Sequence, residues 1–197
     1  MVWLMKVKEL IIIAILLAIV AVAVFFIVYP TGLERVETTA TKSLTRFVIT
    51  SPAFKSGEMI PKRYTCDGID ASPPLSWSGF PAGTKSFVLI VTDPDAPGGA
   101  FTHWIVYNIS SKITSLPEKV ERVERLGNGI LQGLNSFGKI GYNGPCPPHE
   151  SKHRYYFRIY ALDCYIDLPP GATREEILKA IEGHVIGEAE LLGYYKR

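Results

Sequence analysis

Four histidines and a few clustered carboxylates are the residues of this 197-residue chain best suited to chemistry. Asp93-Pro94-Asp95-Ala96-Pro97 comes directly after the apolar run Ser86–Thr92. Its two prolines fix the backbone, so both carboxylates are held where they can orient other groups or cap backbone amides. An Asx-type turn closing a strand is the plain alternative. His103 opens the next apolar run, so a hairpin-like connection would bring Asp93 or Asp95 against it. His153-Arg154-Tyr155 opens another run after the stiff Gly144-Pro145-Cys146-Pro147-Pro148. Taken singly, His153 reads as a surface or capping histidine. The recurrence of Asp, His and Pro/Gly loops at several strand starts is what points to a site.

Three chemistries compete for these residues. A metal site would draw on Asp93, Asp95, His103 and His153, but there is no HExxH, no paired-cysteine motif and no calcium loop. Nucleophilic catalysis needs a Ser or Cys beside a base; no GxSxG is present, and Cys146 has no evident base. An anion pocket needs only donors: backbone N–H groups of a Gly-rich loop, the two imidazoles and the Tyr155 hydroxyl. That reading uses the most residues with the fewest assumptions. No catalytic residue, no metal and no cofactor is expected.

The elements that must position these groups are short and punctuated by Pro and Gly. Arg46–Thr50, Ser86–Thr92, Trp104–Ile109 and Tyr155–Leu162 are β-branched or aromatic runs bounded by turn residues, which predicts strands and a sandwich. Leu116, Val120, Val123 and Leu126 have helical spacing and predict a short helix. Thr173 with Glu176 forms a capping box before Ile177, Leu178 and Ile181, and Gly183 stops that helix. Alternation from Val185 to Gly193 predicts a last strand.

The net charge of +2 excludes a strongly basic nucleic-acid binder and an acidic disordered chain. Leu10 to Tyr29 is twenty residues without charge, Gly or Pro. As a helix it would match a bilayer's hydrocarbon thickness of roughly 30 Å. The adjoining Pro30-Thr31-Gly32-Leu33-Glu34 is not small-x-small and offers no cysteine for a lipid. An uncleaved transmembrane signal anchor is therefore expected over 10–29, after a tail at 1–9. Positions 30–45, rich in Thr, read as a flexible tether, and 46–197 as one globular domain with 17 Lys+Arg and 16 Asp+Glu. Lys6 and Lys8 face Arg35 and Lys42 across the span; the short tail favours a single-pass protein with an extracytoplasmic domain. Cys66, Cys146 and Cys164 allow three single pairings, each leaving one thiol free. Cys146 reads as buried packing, with a reactive thiol as the alternative.

SPAF at 51–54, YTCDG at 64–68, SPPLSW at 72–77, DPDAP at 93–97, HWIVYNI at 103–109, GYNGPCPP at 141–148 and HRYYFRIYALD at 153–163 stand in this order. In them the chain resembles the phosphatidylethanolamine-binding protein (Raf-kinase-inhibitor-like) family, in its bacterial and archaeal branch, from about Phe47 to the last residue. The resemblance implies a mainly β, two-sheet sandwich with a short helix towards the C-terminus. It also implies an end cavity for phosphate-bearing or other anionic ligands, mapping to Asp93, Asp95, His103, Gly144, Pro147, His153 and Tyr155. Two departures stand out: His149-Glu150-Ser151-Lys152 replaces a stretch where relatives often carry glycine, and no helix comes after Tyr195 to close the pocket.

The expected function is that of a membrane-anchored binding protein for a small anionic or phosphorylated ligand, with no nucleic-acid partner. An inhibitor acting on a kinase or protease partner is the alternative, and a head-group hydrolase or transferase the least favoured. The full-length protein is accordingly expected to sediment with membranes and resist carbonate extraction, while a fragment lacking residues 1–30 stays soluble and unfolds cooperatively. Loss of the full-length chain to the carbonate supernatant, or aggregation of the fragment, would count against the anchor.

Overall fold

The computed structural model describes residues 44–197 together with Ile19 and Phe25. The chain divides into two units, Met1–Thr41 and Lys42–Arg197, and the second carries the fold. The expected membrane segment and tether lie almost wholly outside the described residues. Among those described, no helix is long and apolar enough to cross a membrane.

The first expected strand is split. Thr45–Arg46 (β1) joins one sheet and Val48–Thr50 (β2) the other, with buried Phe47 at the crossing donating its N–H to Glu188. Glu58–Met59 (β3) and Leu75–Ser78 (β4) come next, then Ser86–Asp93 (β5), Phe101–Ser110 (β6) and Ser115–Leu116 (β7). Leu131–Gln132 (β8) and Lys152–Leu162 (β9) precede the helix Arg174–Ala180 (α1) and Val185–Lys196 (β10). One sheet runs β1-β10-β9-β5-β6-β8, with β3 also paired to β10; the other runs β2-β4-β7.

The central strands β5 and β6 are buried along nearly their whole length, which is why their sequences are continuous apolar runs rather than alternating ones. On one face Phe87, Leu89, Val91, Trp104 and Val106 pack against Ile49, Leu75, Trp77 and Leu116 of the small sheet. On the other, Val88, Ile90, Ile105 and Tyr107 pack under Ile177 and Ile181. The helix begins as its capping box requires: Thr173 Oγ1 accepts from the Glu176 N–H, and the Glu176 carboxylate accepts from the Thr173 N–H.

The segment expected to form a helix over Leu116–Leu126 does not. Lys119 has a positive φ of 58°, and the backbone groups a helix would use internally are spent elsewhere. The N–H groups of Lys119 and Val120 go to Ser72, and the carbonyls of Glu121 and Val123 accept from the Gln132 side chain. Its apolar residues instead serve the core edge as an extended strap, with Leu116 buried and Val120 and Leu126 packed beside it.

Cys66 and Cys146 are joined in a disulfide across 80 residues, and Cys164 is the free thiol. The expectation of buried packing at Cys146 is thereby corrected: this residue is exposed and oxidised, since its sulfur is needed to hold the proline-rich loop against the turn at Cys66. Closing so long a loop restricts the unfolded chain, so replacing both cysteines by Ala is expected to cost about 2–4 kcal/mol, read as a lower urea midpoint. An unchanged midpoint would show that the cross-link adds nothing to the fold.

Candidate functional site

A cavity of about 340 Å³ opens at the end of the large sheet where β5 stops and β9 starts. Asp93, His103 and His153 supply its polar wall; Phe101, Phe137 and the prolines Pro97, Pro147 and Pro148 supply the apolar one, and Arg197 stands at its edge.

Asp93 is a nearly buried carboxylate with both oxygens engaged. Oδ1 accepts the Asp95 N–H at 2.8 Å, an Asx turn, and Oδ2 meets His153 Nδ1 at 2.7 Å. This arrangement puts the His153 proton on Nδ1 and leaves Nε2 for a ligand. His103 is oriented by a different group. Its Nδ1 lies 2.7 Å from the Asn143 carbonyl, and Asn143 returns its N–H to the His103 carbonyl at 3.0 Å. Burial lowers the His103 pKa, outweighing the carbonyl that favours the proton. His103 is therefore a neutral imidazole whose proton faces Asn143 and whose Nε2 is an acceptor. The expected contact between an aspartate of the 93–97 loop and His103 is corrected on this point: the carboxylate bonds to His153, because β5 also pairs with β9, with Thr92 opposite Tyr156.

Four of the seven expected site residues, Asp93, His103, Pro147 and His153, line this cavity. Asp95, Gly144 and Tyr155 are not among its lining residues. Asp95 is clamped by Arg154 through its backbone N–H at 2.9 Å and a two-pronged guanidinium contact. Those bonds hold its carboxyl down to about 2. Gly144 donates its N–H to Asp70 Oδ1 at 2.6 Å, so that donor is already engaged, and a Cβ there would meet the Tyr64 carbonyl at 2.3 Å. Its role is close approach of backbone to backbone, which only glycine permits. Tyr155 is fully buried with its ring edge-on to His103 at 5.3 Å. Burial first, then its closeness to the Asp93 carboxylate, raises the pKa of its hydroxyl, and the residue is not among those that line the cavity.

Sequence reasoning missed Phe101, Phe137, Arg197 and the orienting Asn143. Phe137 packs edge-on to both Phe101 and His103, yet it sits in a glycine-rich stretch with no strand pattern to mark it. Arg197 is held by Asp67 at 3.1 Å and reaches towards Cys146 Sγ; only the path of β10 brings it there. His149 is exposed and outside the lining.

Residues 50–196 match the family model described as phosphatidylethanolamine-binding protein. The UPF0098 protein of Methanothermobacter thermautotrophicus is 54% identical over 145 residues, covering 74% of this chain and 95% of that one. The UPF0098 protein of Aquifex aeolicus is 50% identical over 149 residues, covering 75% and 86%. Among solved structures, a phosphatidylethanolamine-binding protein homologue from Chlamydia trachomatis superposes with a TM-score of 0.71 at 46% identity, covering 78% of this chain and 99% of that one. YbcL of E. coli, titled a member of the mammalian family of such proteins, gives 0.72 at 36%, covering 77% and 98%.

The buried His103 sets a sign for stability against pH. Above its ordinary value of 6.5 both folded and unfolded chains carry it neutral and it contributes no pH dependence. Below that value the unfolded chain takes up a proton that the folded one resists, so stability falls as the pH is lowered, by at most about 1.4 kcal/mol per unit. Urea unfolding at pH 7.5 and 5.5 is expected to show a larger loss for the parent than for His103→Gln. Equal losses would mean that His103 titrates alike in both states.

Proposed function

Because the chain belongs to the phosphatidylethanolamine-binding protein family, we propose that it is a binding protein whose end cavity takes a small phosphate-bearing anion such as a phospholipid head group. The observation that carries this reading is the Asp93–His153 pair in one wall with Arg197. The Asp93 carboxylate holds the His153 ring in place through Nδ1, which leaves Nε2 for the ligand, and a bond from a nitrogen to an oxyanion is charge-assisted and so among the strong ones. Arg197 adds a cation. His103, as an acceptor, suits a ligand that also carries a donor, such as the P–OH of a monoanionic phosphate or the ammonium of an ethanolamine head group. Phe101 and Phe137 offer apolar surface to the carbon skeleton.

In the same reading the domain is held at an extracytoplasmic membrane face by the segment 10–29. The unbroken apolar run supports the anchor, and the Cys66–Cys146 disulfide supports an oxidising compartment.

Calorimetric titration with inorganic phosphate tests the cavity. His153→Ala and His103→Ala are each expected to weaken binding about ten- to hundredfold, the worth of a hydrogen bond to a charged group, and the double variant to lose less than the sum. His149→Ala is expected to bind as the parent does. Parent-like affinity in His153→Ala, or a larger loss at His149 than at either, would overturn the reading.

A further inference from the structure

At the far end of β9 three different donor types converge. A carboxylate oxygen of Asp163, the sulfur of Cys164 and a ring nitrogen of His184 all lie within 4.8 Å of one another. We propose that these three residues form a zinc-binding site, separate from the cavity.

The chemistry of the donor set selects the metal class. Thiolate, imidazole and carboxylate together suit zinc, whereas magnesium and calcium take oxygen alone. With Zn–S near 2.3 Å and Zn–N and Zn–O near 2.0–2.2 Å, ligand atoms of a tetrahedral site stand about 3.3–3.6 Å apart. His184 Nδ1 and Asp163 Oδ1 are 2.9 Å apart and no pair of the three exceeds 4.8 Å, so each separation is within about 1.5 Å of the tetrahedral spacing.

The backbones that carry the ligands are fixed in place. The Asp163 N–H donates to the His184 carbonyl at 3.2 Å, and the His184 N–H to Ile181 at 3.0 Å. The Ser86 hydroxyl donates to the Cys164 carbonyl, and the Lys85 N–H to Leu162 at 2.8 Å. Asp163 and His184 are both about half exposed, which leaves a fourth position for water.

Cys164 is the thiol that the disulfide does not use. His153 and Leu162 stand at opposite ends of β9, roughly 30 Å apart at about 3.3 Å per residue, so the ion would not share the cavity's ligand. It would close the excursion between β9 and β10 that holds α1, binding the folded chain in preference to the unfolded one.

Cobalt(II) is the spectroscopic probe, added to the intact, oxidised protein without reductant. A thiolate-to-cobalt charge-transfer band is expected, displaced by zinc; Cys66 and Cys146 hold no thiol to produce it. Cys164→Ser is expected to abolish the band, Asp163→Asn and His184→Gln to weaken cobalt binding at least about tenfold, and His149→Ala to leave it unchanged. Zinc at about a hundredfold excess over its Kd is expected to raise the parent's Tm by about 5–10 °C. Metal-free far-UV circular dichroism and urea midpoints show whether each variant is folded, and His184→Gln serves if Cys164→Ser is not. No band with excess cobalt, a band that survives Cys164→Ser, or an equal zinc shift in a folded His184→Gln would overturn the site and leave an ordinary His–Asp contact beside an idle thiol.

Discussion

A carboxylate that is only 4% exposed must have both oxygens satisfied or the fold pays heavily for desolvating it. At Asp93 one oxygen is met locally by the Asp95 N–H and the other by His153, sixty residues away. That second bond exists only if β5 ends where β9 begins, so the register Ser86↔Leu162 through Thr92↔Tyr156 and the cavity are one constraint. The adjacent Asp95–Arg154 clamp repeats the link one step outward. Two consecutive residues of β9 are thus tied to two carboxylates of one loop, and His153 has little freedom to turn away from its place.

The opposite wall is built by different means. His103 is set by a carbonyl, and the loop carrying that carbonyl is held by Asn135, which donates to the Asn143 side chain at 2.9 Å. Asp70 secures the next residue by accepting from Gly144 while its other oxygen takes Arg122. The disulfide then fixes Cys146 to the turn at Cys66. Packing adds to these bonds: Tyr142 of the same loop is 1% exposed, edge-on to Trp104, and donates its hydroxyl to the Tyr64 carbonyl, so the backbone groups buried with it are left few alternatives.

The two histidines are consequently unequal. One is held by a carboxylate, which leaves its Nε2 for a ligand; the other is kept neutral by burial and suited to accepting. Phe101, Phe137 and Tyr155 stand roughly perpendicular to His103 around it, which leaves the residue only 3% exposed. In the proposed reading, a cavity of this polarity would discriminate between ligands by where their own donors and acceptors lie, beyond their total charge.

Local residue patterns and the family motifs were enough to mark the strands around the cavity, the capped helix and the placing of His103 and His153 at one cavity. Those signals are short-range: β-branched runs between turn residues, Thr173 three residues before Glu176, and motifs in family order. Asp93 was marked in the same way, since its turn is written in the residues around it. Long-range folding settled which imidazole Asp93 would meet, that Gly144 turns its N–H to Asp70, that Tyr155 does not line the cavity, and that Cys66 pairs with Cys146. It likewise ruled against a helix over Leu116–Leu126, where the backbone found partners in Ser72 and Gln132, and placed Arg197 at the cavity edge. One cause is common: these outcomes depend on contacts between groups distant in sequence, with bonds spanning 9 to 130 residues, and no local pattern of polarity records which distant donor or acceptor a folded backbone will bring within about 3 Å.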